Sequence, residues 1–369
     1  MAAKASLKEL LYSKVADAAP ELVRPQEDGA VQCLACGNRC VIPDGDSGIC
    51  RMRINRGGRL LVPHGYVAGL QVDPIEKKPF YHVYPGRDAL SFGMLGCNLH
   101  CDFCQNWVSS QTLKDEEAGT LVRDMDAASL VRVALEKRVP TMVSTYNEPL
   151  ITADWAVEVF QRAHERGILC GFVSNGNASP EVLEFIRPHV QLYKVDLKTF
   201  DEAKYRHLGC SLKNVLDTIE RLRAMGFWIE VVTLVVPGFN DDDEQLNGIA
   251  RFIAGVSPDI PWHVTAFHPD YRMTGGRRTS PVELDRAYYA GKEAGLHFVY
   301  AGNLPGSVGD REHTFCPSCG ALLIRRLGFY IQENRMAGAC CPDCCAEIPG
   351  VWESEAPKSS EGLAVPRPV

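Results

Sequence analysis

The sequence predicts an α/β fold in which a mostly parallel sheet curls into a partial (β/α)6-type, TIM-like barrel, with a small cysteine-rich module at each end. Short apolar runs alternate with longer amphipathic segments between residues 88 and 303. Strands that alternate with helices of this length are typical of βαβ units and a parallel sheet. An open doubly wound sheet is the alternative, because hydrophobic periodicity does not distinguish the two.

The strands and helices of this region are predicted from apolar runs and from helix start and stop signals. Ser280 before Pro281 marks a helix start, and Gly167 and Gly226 mark helix ends. The predicted strands are Ala89–Leu95, Thr141–Tyr146, Leu169–Val173, Leu192–Leu197, Trp228–Val236, His263–Phe267 and His297–Tyr300. The predicted helices are Ala127–Arg138, Ala153–Arg166, Leu212–Met225, Asp243–Ile253 and Pro281–Ala294.

Composition divides the chain into five predicted segments and bounds its setting. They are a helical lead-in (1–28), a cysteine-rich metal-binding module (29–63), the barrel (64–306), a zinc-ribbon-like module (307–352) and a disordered tail (353–369). The formal charge of −7 and the lack of a basic block argue against nucleic acid as a partner. No run is long and apolar enough to span a membrane, and the first residues do not resemble a secretion signal. We therefore expect a cytoplasmic protein.

Cysteine content is the most informative feature of the composition. The chain has 15 cysteines, and all but Cys170 and Cys210 fall into three tight groups. An odd number disfavours complete disulfide pairing, and in a reducing compartment closely spaced thiols are more often metal ligands. The sequence therefore predicts a metalloprotein.

The central group, Cys97, Cys101 and Cys104, directly follows the first predicted strand of the barrel. In a parallel barrel the loop after a strand opens at the catalytic end. Three thiolates in one loop suit a [4Fe–4S] cluster in which one iron lacks a protein ligand and stays open to another molecule. A structural zinc site or buried thiols are the alternative.

The sequence resembles a known family, the radical S-adenosylmethionine (SAM) enzymes of the "AmmeMemoRadiSam" system. These enzymes are relatives of the pyruvate formate-lyase activating enzymes. The resemblance runs from about Cys33 to Trp352. It rests on the following stretches: 73–79, 97–107, 145–149, 174–176, 195–198, 236–241, 267–271, 302–306 and the final Cys-Pro-x-Cys pairs. It implies that the open iron binds SAM, that one electron cleaves SAM to methionine and a 5′-deoxyadenosyl radical, and that this radical abstracts hydrogen from a substrate.

The resemblance also implies SAM-binding residues and partners. Glu148 matches the acid that holds the SAM ammonium in the activating enzymes, with Asn147 beside it at the same strand end. The other expected contacts are Ser174, Asn175, Asp196, Lys198 and His268. Expected partners are an external electron donor of the flavodoxin or ferredoxin type, and MEMO-like and AMMECR1-like proteins.

Purely structural roles remain open for the same residues. Glu148 would also cap the helix that follows Pro149. Asp196 and Lys198, two apart on one strand face, would also make a structural ion pair. A lone His268 is often a packed or capping residue.

Two departures from the activating enzymes bear on function. Val173 stands where those enzymes have an aspartate of a cation site, and Gln105 stands where they usually have histidine. Both weaken the rival interpretation, an activase of glycyl-radical enzymes. A non-catalytic iron–sulfur or zinc-ribbon electron carrier or adaptor is the rival from another class.

The two flanking cysteine groups predict further metal sites. Cys316, Cys319, Cys341 and Cys344 have zinc-ribbon spacing, although Cys340 and Cys345 leave the ligand choice open and a rubredoxin-like iron site is a minor alternative. The N-terminal quartet is Cys33, Cys36, Cys40 and Cys50. Structural zinc is the first interpretation, an auxiliary iron–sulfur cluster the second and non-ligand thiols the third, and spacing alone does not choose between the metals because both accept four thiolates.

Overall fold

The computed structural model describes residues 6–353 and the backbone of 367–368. The N-terminal region combines one helix with two small antiparallel sheets, of strand order β1-β6-β5 and β2-β3-β4. Its segments are α1 (Leu7–Ser13), β1 (Val15–Asp17), β2 (Val23–Pro25), β3 (Val31–Cys33), β4 (Val41–Ile42), β5 (Ile54–Arg56) and β6 (Arg59–Pro63), with 3₁₀ turns at Pro20–Leu22 and Glu27–Gly29. The segment predicted as a helical lead-in thus also supplies β1 and β2, which pair with strands of the cysteine-rich module.

The central sheet has seven parallel strands in the described part of the chain, and each overlaps one of the seven strands predicted from the sequence. Its order is β16-β15-β14-β13-β12-β11-β9-β8-β20, with β8 and β20 antiparallel. The two edge strands do not pair with each other, so the barrel is open, as predicted. The strands of this sheet are β8 (Gly69–Pro74), β9 (Asp88–Gly93), β11 (Thr141–Ser144), β12 (Leu169–Ser174), β13 (Leu192–Asp196), β14 (Trp228–Val235), β15 (Trp262–Ala266), β16 (Val299–Gly302) and the C-terminal β20 (Arg367–Pro368). Two further strands, β7 (Tyr66–Val67) and β10 (Arg123–Asp124), form a separate antiparallel pair.

Helices cover the outer face of this sheet. They are α3 (Ala127–Glu136), α4 (Ala153–His164), α5 (Pro180–Ile186), α6 (Glu202–Leu208), α7 (Leu212–Ala224), α8 (Asp243–Val256) and α9 (Pro281–Glu293), with 3₁₀ turns at Ile75–Lys77, Pro149–Thr152 and Gly309–Glu312. A short helix, α2 (Trp107–Ser110), instead follows the loop after β9, and Ser110 contacts Cys104 of that loop. Phe92 of β9 meets Trp155 and Phe160 of α4 edge to face, so alternate residues of β9 face the helices. Ala89, on the opposite face of β9, packs inside the barrel in a cluster with Val143 and Leu192.

The C-terminal module is a hairpin-based unit whose small core is shared with Tyr81, Phe298 and Tyr300 of the barrel region. Its strands are β17 (Thr314–Phe315), β18 (Leu322–Leu327) and β19 (Tyr330–Asn334). The predicted disordered tail lies mostly outside the described residues. Within it, β20 (Arg367–Pro368) pairs with β8 at the sheet edge.

A buried polar cluster fastens this module to the amino-terminal end of the barrel. Arg326 of β18 donates to Thr314 Oγ1 at 2.7 Å and to the Tyr81 carbonyl at 2.9 Å, and its guanidinium lies 4.4 Å from the centre of the Tyr81 ring. Glu230 of β14 accepts the backbone N–H groups of Tyr81 and His82, each at 2.9 Å. These contacts hold residues 81–82 between the barrel and the module. The predicted site lies at the other, carboxyl end of the strands.

No helix in the described residues has both the length and the apolar character needed to cross a bilayer.

Candidate functional site

The cluster loop follows β9 and lies at the carboxyl end of the sheet. Gly96 opens the loop with a φ of 92°, and a Cβ at this position would lie 2.4 Å from Met52 Cγ, so only glycine fits. Cys101 is buried, whereas Cys97 and Cys104 are half-buried. The three side chains are therefore held on one short loop that is packed on one side and partly open on the other.

Polar groups already surround the sulfur atoms of this loop. The Leu99 N–H donates to Cys97 Sγ at 3.3 Å, and Asn175 Nδ2 lies 3.7 Å from the same sulfur. Ser110 Oγ lies 3.1 Å from Cys104 Sγ. Burial raises the pKa of the Cys97 thiol to about 12. A thiol in this setting becomes a thiolate when a metal takes the place of its proton.

Glu148 follows β11, and three hydrogen-bond donors surround its carboxylate. Ser174 Oγ donates to its Oε1 at 2.7 Å and the Asn175 N–H donates to its Oε2 at 2.8 Å. The Leu150 N–H donates at 3.1 Å, so Glu148 also caps the 3₁₀ turn that follows it. Burial raises the pKa of Glu148 to about 7, against the lowering effect of these donors. Glu148 therefore caps the turn and is also one of the residues predicted to contact SAM.

Asp196 and Lys198 lie together, as their spacing on the strand predicts, but with a third charge beside them. Lys198 Nζ lies 3.3 Å from Asp196 Oδ2, and Lys194 Nζ contacts Asp196 Oδ1. Although burial acts in the other direction, the two ammonium groups hold the pKa of Asp196 below its usual value. One carboxylate between two cations leaves a net positive charge at the end of β13.

His268 and Asn147 occupy different positions around the same end of the barrel. His268 is exposed, and its Nδ1 lies 2.9 Å from Gln105 Nε2 of the cluster loop. Asn147 is buried and accepts the Met94 N–H at 3.0 Å through its Oδ1, which ties β9 to β11. Asn147 therefore supports the loop that carries the cysteines.

Three neighbours of the site were missed in the sequence. Lys194 shares a strand face with Asp196, so the two-residue period could have identified it. Cys210 lies close enough to Cys97 and Cys101 to interact electrostatically with them, and it carries no local spacing signal. Asn98 is fully buried and accepts from Asn175 Nδ2 at 2.7 Å through its Oδ1.

The four ribbon cysteines converge as a single-ion site requires. The Sγ atoms of Cys316, Cys319, Cys341 and Cys344 all lie within 4.8 Å of one another. Two of the pairs, Cys316–Cys344 and Cys319–Cys341, are 3.6 and 3.7 Å apart. A tetrahedral zinc ion with Zn–S bonds of about 2.3 Å places its sulfurs about 3.8 Å apart, so the observed geometry fits zinc.

Known protein families and individual relatives resemble this chain. Residues 93–250 match the model of the radical SAM superfamily. The chain is 36% identical over 305 residues to the uncharacterized protein MJ0808 of Methanocaldococcus jannaschii, and the match covers 82% of this chain and 90% of the relative. It is 21% identical over 183 residues to the pyruvate formate-lyase-activating enzyme of Staphylococcus aureus, covering 47% and 72% of the two chains.

Two further similarities are to a second activating enzyme and to a solved structure. The chain is 29% identical over 122 residues to the isethionate sulfite-lyase activating enzyme of Oleidesulfovibrio alaskensis, covering 31% of this chain and only 40% of that enzyme. A radical SAM methyltransferase from Sphaerobacter thermophilus superimposes with a TM-score of 0.46 and 15% identity, covering 84% and 81% of the two chains.

The chain belongs to the radical SAM superfamily and is homologous to the pyruvate formate-lyase activating enzymes. It is therefore an enzyme. Membership implies a [4Fe–4S] cluster and SAM, and the residues present fit both. The cluster loop offers three soft sulfur ligands with N–H donors to sulfur beside them. Charged and polar side chains at the neighbouring strand ends form a wall next to the loop.

Proposed function

We propose that Cys97, Cys101 and Cys104 hold the [4Fe–4S] cluster and that the enzyme cleaves SAM reductively to act on a substrate at the barrel mouth. When bound, the cluster supplies the electron that breaks the sulfonium bond of SAM, giving methionine and a 5′-deoxyadenosyl radical that abstracts hydrogen. The observation that carries the proposal is the convergence of this loop with polar residues of three neighbouring strand ends. Asn175 connects the two by contacting both Cys97 and Glu148.

The polar wall divides into two parts with different roles. Glu148, Ser174 and Asn175 form the part that receives the SAM ammonium. The Glu148 carboxylate accepts three hydrogen bonds and has about four lone-pair sites, so it has capacity for one more donor.

The second part of the wall serves the remaining polar groups of SAM. Lys198, with its charge only partly balanced by Asp196, suits the SAM carboxylate, and Asp196 suits a ribose hydroxyl. His268, exposed and held by Gln105, is positioned to contact the outer part of the same molecule. Asn147 acts by positioning the loop.

The family motifs support a finer assignment to the AmmeMemoRadiSam system. In this proposal the enzyme works with MEMO-like and AMMECR1-like proteins and takes electrons from a flavodoxin- or ferredoxin-type donor. The ribbon cysteines bind one zinc ion, which stabilises a short segment whose small core is shared with the barrel region.

The test is anaerobic reconstitution with iron and sulfide, followed by incubation with SAM and dithionite and chromatographic detection of 5′-deoxyadenosine. We expect product from the wild-type protein and none above background from Cys97→Ala, Cys101→Ala or Cys104→Ala. Cys345→Ser is the matched control, because Cys345 is exposed and outside all three ligand groups. Absence of 5′-deoxyadenosine from a wild-type sample with a full cluster would contradict the proposal and favour an electron carrier or adaptor.

Activation of a glycyl-radical enzyme is the second candidate, since several curated relatives are named activating enzymes. Val173 argues against it, because an apolar side chain cannot ligate a cation at that strand position. Incubation with candidate glycyl-radical enzymes and SAM, followed by electron paramagnetic resonance (EPR), distinguishes the two. A glycyl doublet would favour the activase.

A further inference from the structure

The two four-cysteine groups of this chain differ in how closely their sulfurs approach. Within residues 6–353, the ribbon is the one group of three or more potential metal ligands whose atoms all lie within 4.8 Å. The N-terminal quartet of Cys33, Cys36, Cys40 and Cys50 does not meet this spacing, and neither do the three cysteines of the cluster loop. The quartet therefore resembles the cluster loop and not the zinc-like ribbon.

This difference has a simple chemical meaning. Four thiolates on one zinc ion must all lie about 3.8 Å apart, because they share one centre with bonds of about 2.3 Å. In a cubane each thiolate binds a different iron, so the sulfurs are farther apart. A quartet that does not meet the 4.8 Å spacing fits four separate irons better than one zinc ion.

The quartet is also enclosed by the protein. Cys33, Cys36 and Cys50 are buried, and Cys40 is half-buried. The buried Arg53 guanidinium interacts electrostatically with Cys33 and Cys50, and its Nε makes no hydrogen bond to the described residues. Arg53 is paired with the Asp154 carboxylate at 2.7 Å, so its charge is balanced within the protein and the enclosure of the sulfurs is the feature that indicates a site.

Asn98 links the quartet to the cluster loop. Its Oδ1 is occupied by Asn175, and its buried Nδ2 has no hydrogen-bond partner among the described residues. The Asn98 side chain approaches the Cys36 sulfur closely enough to interact with it. The same junction is fastened by Asn38, whose Nδ2 donates to the Asn98 carbonyl at 3.5 Å. Asn98 immediately follows Cys97, so the two cysteine groups are separated by little more than one side chain.

We propose that Cys33, Cys36, Cys40 and Cys50 hold a second, fully protein-ligated [4Fe–4S] cluster, packed directly behind the cluster that binds SAM. The unpaired Asn98 amide donates to the Cys36 thiolate. This inference does not depend on SAM cleavage.

The test uses full-length Cys97→Ala/Cys101→Ala/Cys104→Ala protein, reconstituted anaerobically with iron, sulfide and zinc. We expect about four iron and four sulfide to remain per chain, together with about one zinc, against about eight iron in the wild type. Adding Cys36→Ala and Cys40→Ala should remove the remaining iron. Two zinc ions without iron, or one zinc and no other metal, would each overturn the proposal.

A measurement on the wild-type protein keeps the inference testable if a variant fails to fold. After dithionite reduction, EPR should show two cluster signals, of which SAM changes only one, with mutual broadening because the centres are close. A single signal from a chain with about four iron would overturn the second cluster. Eight iron without SAM cleavage would instead contradict the proposed function, so the two failures are distinguishable.

Discussion

Replacing Glu148 by glutamine should weaken both the folded state and SAM binding, and the contacts of this residue set the magnitudes. Its carboxylate accepts backbone N–H groups from Asn175 and Leu150 and a hydroxyl from Ser174. A glutamine side chain keeps one oxygen and turns an NH2 group toward one of these donors. The hydroxyl can rotate, but a backbone N–H cannot, so one is left without an acceptor. That costs about 1–3 kcal/mol of unfolding free energy.

The effect on SAM comes from the lost charge. A hydrogen bond between an ammonium and a carboxylate contributes about 1.5–3 kcal/mol, so the Kd of SAM should rise roughly tenfold to a hundredfold. Urea unfolding measures the first effect, and anaerobic equilibrium dialysis with labelled SAM measures the second.

Ser174→Ala is the matched control for this pair of measurements. It removes the hydroxyl that donates to Glu148 and accepts the Gly176 N–H but keeps the carboxylate, so stability should fall by about 1–3 kcal/mol while SAM binding changes only a few-fold. If Glu148→Gln loses stability but binds SAM as tightly as the wild type, the residue only caps the turn after it, and its role in SAM recognition is refuted.

Three further predictions concern other parts of the chain. Burial raises the pKa of Glu76 to about 7 from 4.5, against the opposing effect of Arg326. Because the folded pKa is the higher one, the unfolding free energy should fall by about 3 kcal/mol as pH rises from below 4.5 to above 7, and Glu76→Gln should lack this part of the wild-type urea profile. Cys316→Ala should lose the zinc and lower the Tm while iron content persists; loss of iron by elemental analysis would contradict the ribbon assignment. Cys210→Ala should keep its iron and cleave SAM within about twofold of the wild-type rate; loss of iron would identify a fourth ligand.

Local patterns in the sequence were sufficient for most of the barrel. The predicted strand Leu192–Leu197 is observed as Leu192–Asp196, and the predicted helix Pro281–Ala294 as Pro281–Glu293. Three short helices were not predicted, Trp107–Ser110, Pro180–Ile186 and Glu202–Leu208, because four to seven residues give at most two turns of periodicity. The predicted His297–Tyr300 strand is shifted by two residues to Val299–Gly302, within the usual uncertainty of an apolar run with no clear boundary.

The sequence by itself determined the features that depend on neighbours along the chain: strand and helix order, the cluster loop, and the cysteine spacing of the ribbon. Backbone geometry relates residues a few positions apart in the same way wherever they occur, so such features can be inferred without a fold. Only the tertiary structure brought Asn98 against Cys36, enclosed Glu148 with Ser174 and Asn175, and joined Arg326 to Tyr81. These contacts connect residues distant in sequence, and packing of the whole barrel decides them.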